Sequence, residues 1–258
     1  MTSTGLRAVV VIPARDEAAR VGRCLRALAA QRELAPGAFE VVLVLDRCTD
    51  ATAAVARATA VRHPVPLTVV ESPGRGVGAA RRFGMDLAHA RLQAAGAPDG
   101  LIACTDADTE VDPRWLAAQL RLVAAGAHAV GGRIELDPAE AMALPAGALA
   151  LREARARARL RAVRAEDAAA EHHFFSGASM SVTAGAYRVV GGLEPLEALE
   201  DERLARRLAA NRLKVVRSDA VRVRTSARTE GRAPRGLAHD LARDARLAQK
   251  DVNGPRIA

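Results

Sequence analysis

Aromatic residues are scarce in this chain: only 2% of its 258 residues, with one Trp and one Tyr. That scarcity excludes a stacking platform for bases. Neither zinc-finger spacing nor a sustained basic zipper makes up for it, so no nucleic acid partner is expected. Cysteine is nearly as rare. Cys24, Cys48 and Cys104 are odd in number and far apart, which excludes a disulfide framework and a zinc pattern. Each lies in or beside an apolar segment, where a small buried residue is the ordinary reading, and a reducing cytoplasm suits them. Long apolar runs are missing too. The first one, Ala8 to Ile12, holds five residues before Pro13 and charges intervene. It makes no signal peptide, and no segment approaches the roughly 18 apolar residues that span a bilayer. A soluble, cytoplasmic protein is expected, with peripheral membrane contact left open.

What is present is an apolar half, 50% of the residues, and a net charge of +8. The length suffices for a sizeable core. The basic balance favours acidic partners, although an arginine-rich solvated surface accounts for it equally well. Apolar patterning alternates in type along the first half. Ala8–Pro13 reads as a buried strand, and Val21, Leu25 and Leu28 recur at helical spacing within residues 14–31. Phe39–Asp46 is the next strand, followed by a helix over Asp50–Arg62 with Asp50 as cap or first-turn acid. Pro66–Ser72 is a third strand, then "PGRGVGAARRFG" turns into a helix ending near Gly96. "GLIACTDAD" is a fourth strand, Asp112-Pro113 opens a helix through about Ala125, and "AHAVGGRIEL" is a fifth strand. This alternation predicts an α/β protein with a mostly parallel central sheet and helices on both faces. In such sheets ligands bind at the carboxyl ends of the strands, where Pro13–Glu17, Asp46, Gly74–Arg81 and Asp106–Asp108 fall. Residues 139–170 read as an alanine- and arginine-rich helix or helix pair, either a solvated face or one for an anionic membrane or acceptor. The charged tail after Arg232 is expected to be loosely held.

Three stretches carry chemistry. "CTDADTEVD" packs Asp106, Asp108, Glu110 and Asp112 into seven positions, and such crowding needs water or a cation. It is no EF-hand, because Val111 stands where that loop needs Gly and Ala117 where it needs Glu. Glu110 and Asp112 are accounted for as the approach and cap of the next helix. Read as extended chain, Asp106 and Asp108 point to one side, where two carboxylates can hold a hard divalent cation, magnesium or manganese, with positions left for phosphate. "GRGVGAAR" lets backbone approach a ligand and offers Arg75 or Arg81 to phosphate oxygens; a tight strand–helix turn explains it equally. It is neither a P-loop nor a dinucleotide fingerprint. "ALEDERLARRLA" opens a helix on Glu200, Asp201 and Glu202, which are either partners of the helix dipole or a general base.

Taken in order, these stretches resemble the family 2 glycosyltransferases of the GT-A fold. "VVIPARDEAARVGRCLRAL" is similar to their opening strand and helix, and "VVLVLDRCTDAT" to the second-strand signature. "GRGVGAARRFG" is similar to the turn whose Arg approaches the donor diphosphate, and "CTDADTEVDPRWL" to the D-x-D region. "SGASMSVTAGAYRVVGGL" resembles the acceptor-side segment and "LEDERLARRLAANRLKVV" the E-D helix, so the likeness runs from about Arg7 to Val216. The resemblance implies one GT-A (Rossmann-like) domain over residues 1–258: a nucleotide-sugar half (1–136), an acceptor-side half (137–231) and the charged tail (232–258). It implies a metal-dependent, inverting transfer of a hexosyl-type sugar from a nucleotide-diphosphate donor to an acceptor hydroxyl. Pro13, Ala14, Glu17 and Asp46 would line the base and ribose, and Arg81 would meet the diphosphate. Asp106 would lie by the ribose or metal, Asp108 would be the firmer metal ligand, and Asp201, or Glu200 beside it, would be the base.

Two departures stand out. Leu45 replaces the usual first Asp of the second-strand pair, and Arg47 and Cys48 replace the usual Gly and Ser. Arg47 either adds an anion contact or points to solvent. Arg222–Arg232 is expected as a loop over the donor, with Arg224, Arg228 and Arg232 facing phosphate. His172 and His173 belong to the acceptor side or to the core, and His239 is a candidate for completing a metal site. A sugar nucleotidyltransferase and a non-catalytic basic binding protein on a GT-A-like fold remain open beside the transferase. The sugar, the base, the acceptor and the oligomeric state are not named by the sequence.

Overall fold

The computed structural model describes residues 5–231 and 235–252; Arg232, expected on the donor loop, lies outside the described residues. The first strand, β1 (Ala8–Ala14), shows why the chain needs cover on two sides. Ala8, Val10, Ile12 and Ala14 enter one apolar layer, while Val9 and Val11 enter the other. A strand apolar on both faces is stable only between two layers of helices. Those layers come from the alternation of α1 (Val21–Ala29), β2 (Phe39–Leu45), α2 (Thr52–Arg62), β3 (Leu67–Glu71), α3 (Val77–Ala94) and β4 (Leu101–Cys104). Val21, Cys24, Leu25 and Leu28 of α1 pack into the first layer with Ala56 of α2. Met85, Ala88 and Leu92 of α3 pack into the second. β1 pairs in parallel with β2 and β4, and β2 in parallel with β3.

The second half is less regular. It runs through β5 (Thr109–Val111), α4 (Trp115–Ala124), β6 (Ala129–Leu136), α5 (Pro138–Ala141) and α6 (Ala146–Glu166). β7 (Met180–Thr183), α7 (Ala184–Val189), α8 (Glu200–Ala210), β8 (Val215–Thr225) and α9 (Leu237–Val252) follow. One eight-stranded sheet results, in the order β3-β2-β1-β4-β7-β6-β8-β5. β7 lies antiparallel between β4 and β6, β8 parallel to β6, and β5 antiparallel to β8. The expected α/β architecture is therefore present. The first half is wholly parallel, and β7 and β5, which pair antiparallel with their neighbours, make the whole sheet mixed.

Three features differ from the sequence expectation. The fourth strand stops at Cys104, and residues 105–108 turn before β5, a short strand that the sequence pattern does not reveal. Helix α4 begins at Trp115, so Pro113 precedes it. Asp112 still serves the approach, accepting a hydrogen bond from the Arg114 N–H at 2.9 Å. The tail expected to be loose contains α9, which lies along α6. Leu241 of α9 is fully buried, and Arg155 of α6 pairs with Asp244 and, at 3.3 Å, with Asp240. Part of the basic charge on α6 is thus neutralised within the protein, and among the described residues no helix is long and apolar enough to cross a membrane.

Contact between α3 and the sheet depends on Gly84. A Cβ there would lie 2.4 Å from Val11 Cγ1 and 2.8 Å from Val44 Cγ2. Both valines are fully buried and stiff at χ1. Gly84→Ala should gain helix propensity of about 1 kcal/mol but overpack this contact, for a net loss of roughly 1–2 kcal/mol. A urea melt with a lowered midpoint and unchanged slope is the expected result.

Candidate active site

The carboxyl ends of β1, β2 and β4 form one rim because these strands run parallel and side by side. At the end of β1, Pro13 and Ala14 are buried, and Glu17 is buried with its N–H donating to Thr52 Oγ1 at 2.8 Å. At the end of β2, Asp46 is 4% exposed and accepts hydrogen bonds from the Gly76 N–H at 3.0 Å and Arg47 Nε at 3.3 Å. It thereby ties β2 to the entrance of α3, where Gly76 has a φ of +87° that suits glycine. Arg47 folds back on its neighbour rather than reaching out. Leu45 turns into the core beneath α1 and α2, so no vacant acidic position opens there. Cys24 and Cys104 are buried as expected. Cys48 is half-buried and donates to the Ala14 carbonyl at 3.3 Å.

The turns after β1 and β2 are latched together. Asp16 Oδ1 accepts from the N–H groups of Thr49 and Asp50, and Asp50 accepts from those of Ala18 and Thr52. Among the described residues, Asp16, Cys48 and Asp50 are the one acidic group of three whose ligand atoms, all within 4.8 Å, could hold a metal ion.

Arg81, from α3, is the centre of a second group. It is 2% exposed. Its Nη2 donates to Asp106 Oδ1 at 2.6 Å and its Nη1 to Glu200 Oε1. Burial alone would lower the guanidinium's pKa, but the charges of Asp106 and Glu200 outweigh it and the net direction is up. Arg75, the other candidate of the glycine-rich turn, is exposed. Glycine also permits the approach of the segment before β7: a Cβ on Gly177 would lie 2.3 Å from Arg81 Nη2. The Gly177 N–H donates to Asp201 Oδ2 at 3.1 Å, and Asp201 Oδ1 accepts from the Glu202 N–H at 2.8 Å. Leu199, just before this acidic pair, has a left-handed backbone with φ of 62°, a conformation costing a bulky residue on the order of 1–2 kcal/mol.

A third group joins candidate residues whose pairing the sequence did not show. Asp106 and Asp108 lie in the turn after β4, closed by Thr109 N–H donating to the Asp106 carbonyl at 3.1 Å, rather than on an extended strand end. Their carboxylates consequently take different partners. Arg228, from the loop after β8, places its Nη2 2.8 Å from Glu17 Oε1 and 2.9 Å from Asp108 Oδ2. Burial, with the charges of Asp106 and Glu17, still pushes the Asp108 carboxyl up to about 6. The sequence places Arg228 on a loop facing phosphate; its pairing with Glu17 and Asp108 has no local signal, because those partners lie far away along the chain. Residues 222–225, expected as part of that loop, instead complete β8, and Arg224 is exposed. His172 is buried, with Nδ1 accepting from the Phe174 N–H at 3.1 Å, and burial together with Arg159 pushes His173 down to about 4. His239 lies on α9, its Nδ1 4.0 Å from Asp240, and belongs to no three-ligand group among the described residues.

Breaking a buried ion pair from one side strands the partner's charge. Arg81→Met should therefore destabilise the protein by about 3–5 kcal/mol. In a Glu200→Gln background the loss should be clearly smaller, and a double-mutant cycle of denaturant melts reads the difference.

The fold matches solved structures over nearly the whole chain. TarS 1–349 of S. aureus, in complex with UDP-GlcNAc, is 15% identical, with a TM-score of 0.63 over 98% of this chain and 68% of that one. The mannosyltransferase PcManGT from Pyrobaculum calidifontis, in complex with GDP-Man and Mn2+, is 18% identical, with a TM-score of 0.59 over 96% of this chain and 76% of that one. A further TarS structure is matched over 98% of this chain and 41% of that one, at 15% identity and a TM-score of 0.58. At such identities the likeness concerns the fold, which is that of the GT-A glycosyltransferases. No curated protein matches the chain. The family model described as "Glycosyltransferase like family 2" matches residues 7–246. With a match over nearly its whole length, and a rim assembled from the stretches that resemble this family, the chain belongs to the family 2 glycosyltransferases.

Proposed function

We propose that the protein moves a sugar from a nucleotide-diphosphate donor to an acceptor hydroxyl by a single inverting displacement, with a divalent cation, magnesium or manganese, at the donor. The carrying observation is the convergence of Glu17, Asp46, Asp106 and Asp108 on one strand-end rim around Arg81 and Arg228. Membership of the family makes the chain a glycosyltransferase, and the nucleotidyltransferase and binding-protein readings fall away. Both named neighbours were solved with a nucleotide sugar, which supports a donor of that class here.

In this reading residues 1–136 hold the donor and residues 137–231 face the acceptor. Pro13, Ala14, Glu17 and Asp46 line the base and ribose. Arg81, kept in place by Asp106 and Glu200, sets positive charge beneath the diphosphate. Asp106 and Asp108 are the residues we assign to the cation. The donor set fits: both offer hard carboxylate oxygens, and Asp108 is pushed up to about 6 because, beyond its burial, negative charge at the rim exceeds what Arg228 neutralises. The Asp16 group fits less well, since its third ligand atom is the Cys48 thiol, softer than the oxygens a hard divalent cation takes. Bound at the diphosphate, a divalent cation supplies Lewis-acid stabilisation of the departing nucleoside diphosphate. Asp201 is the base. Glu200 is committed to Arg81, whereas among the described residues the oxygens of Asp201 accept from backbone N–H groups, beside the acceptor-side segment at Gly177. A carboxylate held that way keeps lone pairs for an acceptor proton.

A panel of nucleotide sugars, incubated with and without Mn2+, tests the reading. Metal-dependent release of nucleoside diphosphate is expected, and Asp108→Ala should abolish it. Pyrophosphate released instead from a nucleoside triphosphate and a sugar phosphate would sink the proposal. Asp201→Asn should lower kcat by roughly 10²- to 10⁴-fold while donor affinity, read by calorimetry, stays the same. Unchanged turnover would remove Asp201 from the role.

A further inference from the structure

We infer that Arg228 is a resident counter-ion: its guanidinium holds the Asp108 carboxylate oxygen that a donor-bound cation needs, and cation and donor together must displace it. The inference rests on the metal assignment proposed above and adds a residue that contests the site. One nitrogen, Nη2, bridges both carboxylates, at 2.8 and 2.9 Å. The side chains of Glu17 and Asp108 are 7% and 10% exposed, so little water screens their mutual repulsion. A cation between them is an electrostatic requirement, and Arg228 supplies it from the protein itself. A metal ion bound through Asp108 would compete for the same oxygen, and two cations within hydrogen-bond distance of one carboxylate repel each other.

The loop is built to let Arg228 go. Its base is fixed, since the Ser226 hydroxyl and the Ala227 N–H both donate to Glu140 Oε2 of α5, at 2.6 and 2.8 Å. The Arg228 N–H also donates to Ser226 Oγ, at 3.2 Å, so the backbone is held, while Thr229, Glu230 and Gly231 beyond it are exposed. The side chain is one-quarter exposed and can swing outward from its Cα. Once released, the guanidinium has the planar donor geometry that suits phosphate oxygens, so the residue that blocks the metal-free rim becomes a ligand for the diphosphate. Arrival of the donor and its cation is thus coupled to repositioning of the Arg228 side chain.

Binding of Mn2+ alone, read by electron paramagnetic resonance on the donor-free protein, tests this without turnover. If wild type is competent for metal only when Arg228 is out, and that state is about one-tenth populated, Arg228→Ala should bind Mn2+ about tenfold more tightly. Asp108→Asn should not bind it. Arg228→Gln serves as the second variant should removal of the side chain disturb folding, which circular dichroism checks. With nucleoside diphosphate added, the variant should lose its advantage, because the phosphate contact is gone. Equal or weaker Mn2+ binding by both Arg228 variants, with Asp108→Asn still abolishing it, would overturn the counter-ion and leave the metal site standing. No Mn2+ binding by any of the proteins would overturn both.

Discussion

The rim depends on one buried guanidinium. Arg81 leaves α3, reaches Asp106 at the end of β4 and Glu200 at the start of α8, and is almost out of contact with water. Three elements distant in sequence are thereby fixed to one point. Arginine can do this because its donors fan out in a plane, so two carboxylates are served at once; lysine offers a point charge. The neighbours are shaped to the same end. Gly177 lacks the Cβ that would strike the guanidinium, and Leu199 adopts a left-handed backbone immediately before Glu200 and Asp201. Strain of this kind persists where surrounding structure over-determines it, as the Arg81–Glu200 pair does here.

Around that point the problem is excess negative charge. Glu17, Asp106 and Asp108 crowd a partly dehydrated rim faced by Arg81 and Arg228, and burial, then the charge of Asp106, holds the Asp108 carboxyl above its usual range. A protein that kept these acids merely to fold would gain by exchanging some for amides. Keeping them is consistent with a cationic ligand that comes and goes, and the counter-ion role of Arg228 follows from the same balance. It keeps the rim tolerable between visits. Asp201, beside this group, is oriented differently, by the backbone N–H groups of Gly177 and Glu202.

Much of the fold could be read directly. Val9–Ile12, Val41–Leu45 and Leu101–Cys104 are short apolar runs between helical patterns, and they are the strands of the parallel core. The order of the motifs also pointed to the family. Asp106 and Asp108 were harder. Treating them as extended chain put both carboxylates on one side, whereas the chain turns after Cys104 to reach β5. β5 itself has three residues and depends on pairing with β8, more than a hundred residues away, so no local pattern marks it. Helix α9 reads as a charged tail because seven of its sixteen residues are Asp, Arg, Lys or His. Its order comes from Leu241 and the acids that meet Arg155 of α6.

The sequence by itself determined which residue types are available at the strand ends, since periodicity and breakers are local properties and a buried strand must end in a polar turn. It also determined the basic surface and the scarcity of aromatics, which are matters of composition. Which charge meets which was decided only by tertiary structure. Arg81 with Glu200, Arg228 with Glu17 and Asp108, and Asp46 with Gly76 are all joined across long stretches of chain. The physical reason is that ion pairing depends on distance and burial in space, and neither quantity is written in the spacing of residues along the chain.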